Sequence, residues 1–118
     1  MRYMLLVYTN ETEMERASAE LAQQVEEGHR VVIEQARGAG VLVAAEPLAP
    51  TTSATTVRVI GGRSFVIDGP FAKTNEQLAG YYILECRHLD EAIDWAQKLP
   101  TACGGGVGSV EIRPMRFQ

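Results

Sequence analysis

Residues 2 to 8, Arg2-Tyr3-Met4-Leu5-Leu6-Val7-Tyr8, and residues 78 to 87 share a property that narrows the folds open to this chain: both are β-prone and largely apolar at each alternating set of positions. Successive side chains of a strand point to opposite faces. Tyr3/Leu5/Val7 and Met4/Leu6/Tyr8 therefore line two faces that both need cover, as do Tyr82/Leu84/Cys86 and Tyr81/Ile83/Glu85. Both runs fall far short of the roughly 20 apolar residues of a membrane helix. The sequence predicts a sheet covered on both sides, and 118 residues hold it in one domain, 1–118.

Between these strands the signals alternate. Thr12-Glu13-Met14-Glu15 has the form of a capping box, with Ser18 as a second possible start. Apolar residues from Met14 through Leu21, Val25, Val32 and Ala36 recur at helical spacing, interrupted by Gly28, so one long amphipathic helix is predicted up to Gly38-Ala39-Gly40. Val41 to Ala45 reads as a strand closed by Pro47 and Pro50. Thr55 to Ile60 and Arg63 to Ile67 flank Gly61-Gly62, the pattern of a hairpin with a two-residue primed turn. Asp68-Gly69-Pro70-Phe71 ends it, because Pro70 fixes its own φ and pushes Gly69 away from the helical region. A short helical turn is predicted at Thr74-Asn75-Glu76-Gln77, a helix over Asp90 to Leu99 stopped by Pro100, and a last strand from Ser109 to Met115.

The order β, long α, β, hairpin, β, α, β predicts an α+β, ferredoxin-like sandwich with an inserted β-hairpin. Two helices cover only one face of such a sheet. A second copy pressed sheet against sheet covers the other, giving a homodimer; the alternative cover is the hairpin, or the Ala44 to Ser53 stretch, folded back on the sheet.

Composition excludes several functions. A formal net charge of −4 without a basic run argues against nucleic-acid binding. The first strand is no signal peptide and nothing resembles a membrane span, so a cytoplasmic protein off the membrane is expected. Cys86 and Cys103 lack metal-ligand spacing and read as reduced thiols. The Thr101 to Gly108 loop lacks the lysine and the following helix of a phosphate-binding loop, and no cofactor is expected.

The run Asp68-Gly69-Pro70-Phe71-Ala72-Lys73-Thr74-Asn75-Glu76-Gln77-Leu78-Ala79-Gly80-Tyr81-Tyr82 closely resembles the signature of the DGPF group of YCII-related domain proteins. Leu89 to Ala96, Ser109 to Pro114 and Tyr3 to Tyr8 are similar to the same family, so the resemblance spans nearly the whole chain. It implies a dimeric α+β barrel of ferredoxin-like subunits, a bacterial source, a His–Asp pair in a dimer-associated pocket, and a link to extracytoplasmic-function sigma factors. It also implies that His29, on the long helix, is the family's histidine. No aspartate stands near it on that helix, so Asp68 is the candidate acid.

A carboxylate that orients an imidazole makes a proton-transfer group poised near neutral pH. His29 and Asp68 are therefore the candidate catalytic residues, with Phe71, Tyr81 and Tyr82 as apolar wall and Arg58 as anion anchor for a small ligand. Each has a plainer alternative: His29 on a solvated helix face, Asp68 bonded to its own turn, Tyr81 and Tyr82 as core packing, Arg58 paired with a surface acid. Two functions stay open, a cofactor-free enzyme and a non-catalytic module contacting a regulatory partner such as a sigma factor.

Overall fold

A computed structural model of the chain describes residues 1–101 and 106–118; Cys103 and half of the Thr101 to Gly108 run expected as a loop lie outside them. β1 (Arg2–Thr9), β2 (Leu42–Pro47), β5 (Gln77–Glu85) and β6 (Gly108–Pro114) form one antiparallel sheet in the order β2-β5-β1-β6. This is the strand order of the ferredoxin-like α+β fold. The hairpin, β3 (Thr55–Ile60) and β4 (Arg63–Asp68), is a separate two-stranded sheet inserted between β2 and β5. Its turn uses φ of 58° at Gly61 and 78° at Gly62, the doubly positive backbone that a primed turn requires.

The helices lie on one face. Val32 and Ala36 of α2 (Ala19–Gly38) and Ala92 of α3 (Leu89–Gln97) are buried in one cluster with Tyr3, Leu5 and Val7 of β1 and Tyr82, Leu84 and Cys86 of β5. Register fixes this: Leu5 stands opposite Tyr82 and Tyr3 opposite Leu84, so each pair shares a face. The other face carries Met4 opposite Ile83 and Leu6 opposite Tyr81, all half-buried.

The expected single long helix is two. Asn10 caps α1 (Glu11–Arg16) by accepting from the Glu13 N–H, and Ser18 caps α2 by accepting from the Leu21 N–H. Ala17 and Ser18 are extended between them, with ψ of 148° and 157°. A serine side chain that satisfies a free N–H of the second helix outcompetes continuation of the first.

Two further expectations shift. Residues 74–76 form no helical turn, with bends at 75 and 76. The Thr74 hydroxyl donates to the Glu76 carbonyl, and Gln77 opens β5 while its side-chain carbonyl accepts from the Glu11 N–H. β2 extends through Glu46 and Pro47, because β2 is an edge strand where a missing N–H costs no ladder bond. The hairpin does not fold back on the sheet: all its strand residues except Thr56 are exposed.

Candidate functional site

His29 sits where the apolar stripe of α2 has a gap. It is four residues after Val25 and three before Val32, so helical geometry places it on the core-facing side, not on a solvated face. Gly28 brings its neighbourhood close to the end of α3. A Cβ there would lie 2.9 Å from Cγ of Pro100, so only a glycine lets α2 approach this near.

The imidazole is then held from two sides. Its Nδ1 lies 2.7 Å from the Tyr82 hydroxyl, and the rings stack at 5.9 Å between centroids, 23° from parallel. The ring also hydrogen-bonds the Pro100 backbone. Proline has no N–H, so the imidazole donates there to the carbonyl. A neutral ring carries one N–H; with that one committed to Pro100, Nδ1 accepts and the Tyr82 hydroxyl donates. Burial drives the His29 pKa below its usual value, and the Pro100 bond only partly offsets this. Burial also pushes the Tyr82 phenol up to about 12. Near neutral pH the pair is an uncharged imidazole and an intact phenol.

His29 and Tyr82 face a cavity of about 480 Å³ between α2 and the β1-β5-β2 side of the sheet. That volume is within the usual range for small-molecule sites. Val25 and Ile33 of α2 and Val7 of β1 give it an apolar lining, Met14 of α1 contributes, and Tyr81, whose side chain points to the other face of the sheet, borders it from β5. Gly80 shapes one wall: a Cβ there would sit 2.8 Å from the Glu46 carbonyl, so β2 and β5 close up only over a glycine. Glu26 and Arg30 complete the polar part of the lining with Thr9, which is buried, while the Glu46 side chain, paired with Tyr81 across the strands, belongs to the other face of the sheet. A more open cleft of about 640 Å³ beside α3, bordered by Cys86, Glu91 and Trp95, offers no imidazole.

The candidate residues thus divide. His29 and Tyr82 line one cavity, which Tyr81 borders, whereas Asp68, Arg58 and Phe71 belong to the hairpin and the turn after it and are exposed. The Arg58 guanidinium lies 5.9 Å from the Phe71 ring centroid, a cation–π contact that takes it away from any acid. Asp68 pairs through its backbone with Thr55, and its carboxylate makes no hydrogen bond or ion pair among the described residues. Tyr82 as the hydroxyl on His29 was not foreseen. Its partner is 53 residues away, and only the pairing of β5 beside β1 brings the two together. His88 caps α3 by accepting from the Glu91 N–H. No group of side chains among the described residues is arranged to hold a metal ion.

The profile of the YCII-related domain matches residues 1–116. The chain belongs to the YCII-related domain family. An uncharacterised protein of Rhizobium meliloti (strain 1021) is similar to it, 40% identical over 115 residues that cover 98% of this chain and 92% of that one. No helix among the described residues of this YCII-related protein is long and apolar enough to cross a membrane.

Proposed function

We propose that this YCII-related protein binds a small molecule in the His29 cavity and moves a proton there without a cofactor. The observation that carries this is the 2.7 Å contact between His29 Nδ1 and the Tyr82 hydroxyl at the wall of a largely apolar cavity. In the reaction step the Tyr82 proton passes to Nδ1 while a proton of the substrate passes to the Tyr82 oxygen. Tyr82 ends unchanged, the imidazole becomes a cation, and the substrate is left as its conjugate base. Isomerisation, elimination or hydrolysis of a small cyclic or aromatic-derived substrate fits such a step. A His29–Asp68 pair would draw its carboxylate from a second copy, since within one chain Asp68 stands exposed and unpaired.

The working unit in this reading is a two-fold dimer. The chain exposes 8045 Å², against about 6,300 Å² for a compact monomer of its mass. Its radius of gyration is 15.8 Å, against about 13.5 Å for a compact domain of this length. The surplus of about 1,700 Å² per chain is what an obligate homodimer buries per partner. Two features supply it, the half-buried sheet face of Met4, Leu6, Tyr81 and Ile83 and the exposed hairpin.

A thermal-shift screen of phenols, lactones and keto acids tests the site against His29→Ala, Tyr82→Phe and Asp68→Asn. A compound that raises the melting temperature of the wild type but not of the first two variants supports it. Stabilisation indifferent to both removes the cavity from the account, and loss in Asp68→Asn as well assigns the acid. A second reading, a non-catalytic module that contacts a sigma factor, is favoured by the apolar hairpin, whose Val57, Val59 and Val66 share one exposed face.

A further inference from the structure

The His29 cavity is poorly equipped for anions. Among the described residues Arg30 is the one cationic side chain in its lining, and it is already engaged: it donates from Nε and Nη2 to Glu27 and from Nη1 to Glu34. Glu26 on α2 is exposed, and its carboxylate makes no hydrogen bond or ion pair among the described residues. A free carboxylate therefore stands at the solvent edge of a largely apolar space. At the inner wall the Tyr82 hydroxyl donates to His29, which leaves its oxygen free to accept.

We propose that this cavity selects compact apolar molecules that are neutral or cationic and offer an O–H or N–H to Tyr82, and that it turns away carboxylates. The inference rests on the cavity being a ligand site, as argued above. An anion entering it would lose hydration with no free cation to replace it and would meet the repulsion of Glu26. An alcohol, phenol or amine loses little and gains one hydrogen bond.

Benzyl alcohol, benzylamine and benzoate match in size and differ in charge, so the three can be titrated at pH 8 into isotopically labelled protein and followed by amide shifts around His29 and Tyr82. Benzyl alcohol or benzylamine should bind about tenfold or more tightly than benzoate. That gap should narrow in the Glu26→Gln variant and, in the wild type, as salt is raised. Benzoate binding as tightly as the other two overturns charge selection and leaves the ligand site standing. A gap unmoved by both the Glu26→Gln variant and salt overturns the role of Glu26. No shift near His29 with any of the three overturns the ligand site itself.

Discussion

The Glu11 carboxylate takes two hydrogen bonds from one residue, Thr51: the amide donates at 2.8 Å and the hydroxyl at 2.7 Å. This contact ties the start of α1 to the 3-10 turn at Thr51–Ser53, and the Glu11 N–H donating to the Gln77 side chain ties the same point to β5. α1 has no buried residue, and its Met14 lines the His29 cavity. Its position over the cavity therefore depends on the Glu11 latch more than on packing.

Glu11→Ala should release α1. Charge-assisted hydrogen bonds contribute about 1.5–3 kcal/mol when shielded and less at a partly exposed site, so a global loss near 1 kcal/mol is expected. Amide exchange should rise more in residues 11–16 than in α2. Equal acceleration in both helices would mean that α1 is not a separately latched element.

Gly28 and Gly38 make a matched pair on one helix. Alanine at either gains up to about 1 kcal/mol of helix propensity. At Gly38 nothing lies within 4 Å of the new Cβ, so the gain should survive. At Gly28 the Cβ meets Pro100 at 2.9 Å, and forcing the contact apart costs about 1–3 kcal/mol. Urea denaturation at fixed protein concentration should show Gly38→Ala at or above wild type and Gly28→Ala below it. A stabilised Gly28→Ala would mean that Pro100 yields freely and that α2 is not held against it.

How far the sequence shows the site depends on the range of the interaction. The Gly61-Gly62 turn was legible because its cause is local: two adjacent residues need positive φ. The two-sided apolar pattern of β1 and β5 gave the sheet for the same reason. The break at Ala17–Ser18 was hidden because helix spacing continues across it, and only the competition between two caps ends α1. His29 could be placed on the core side from Val25 and Val32 alone. Its partners could not, since Tyr82 and Pro100 arrive through strand pairing and helix packing 53 and 71 positions away. Asp68 was legible as the end of a strand beside a rigid turn. Where that strand points was not, because a hairpin that rests on nothing leaves no trace in its own pattern.

The His29–Tyr82 pair makes stability depend on pH at both ends of the range. His29 titrates lower folded than its ordinary value of 6.5, so the unfolded chain takes up a proton first. Its contribution is complete above pH 6.5 and declines as pH falls through the lower, folded value. Tyr82 titrates higher folded, about 12 against 10.0, so its contribution is complete below pH 10 and is lost as pH rises toward 12. Melting temperatures of the wild type and His29→Gln should converge as pH falls below 6. In Tyr82→Phe the donor to Nδ1 is gone, so the imidazole should titrate higher by NMR. An unchanged or lower value there would mean that Tyr82 accepts from the ring, and the proton relay would run in the opposite direction.

Val57 and Val66 pair across the hairpin and are exposed by 61% and 74%. In an isolated chain, replacing such a valine changes stability by no more than about 0.5 kcal/mol. In a dimer that uses the hairpin, a carboxylate placed there would be desolvated without a partner, and association should weaken tenfold or more. Sedimentation should find the wild type at twice 12.9 kDa at micromolar concentration and Val66→Glu shifted toward the monomer with its fold intact. A dimer indifferent to Val66→Glu leaves the open sheet face of Met4, Leu6, Tyr81 and Ile83 as the contact and frees the hairpin for another partner. A wild type that stays monomeric and folded on dilution removes the dimer, and with it the only route by which Asp68 reaches a His29 imidazole.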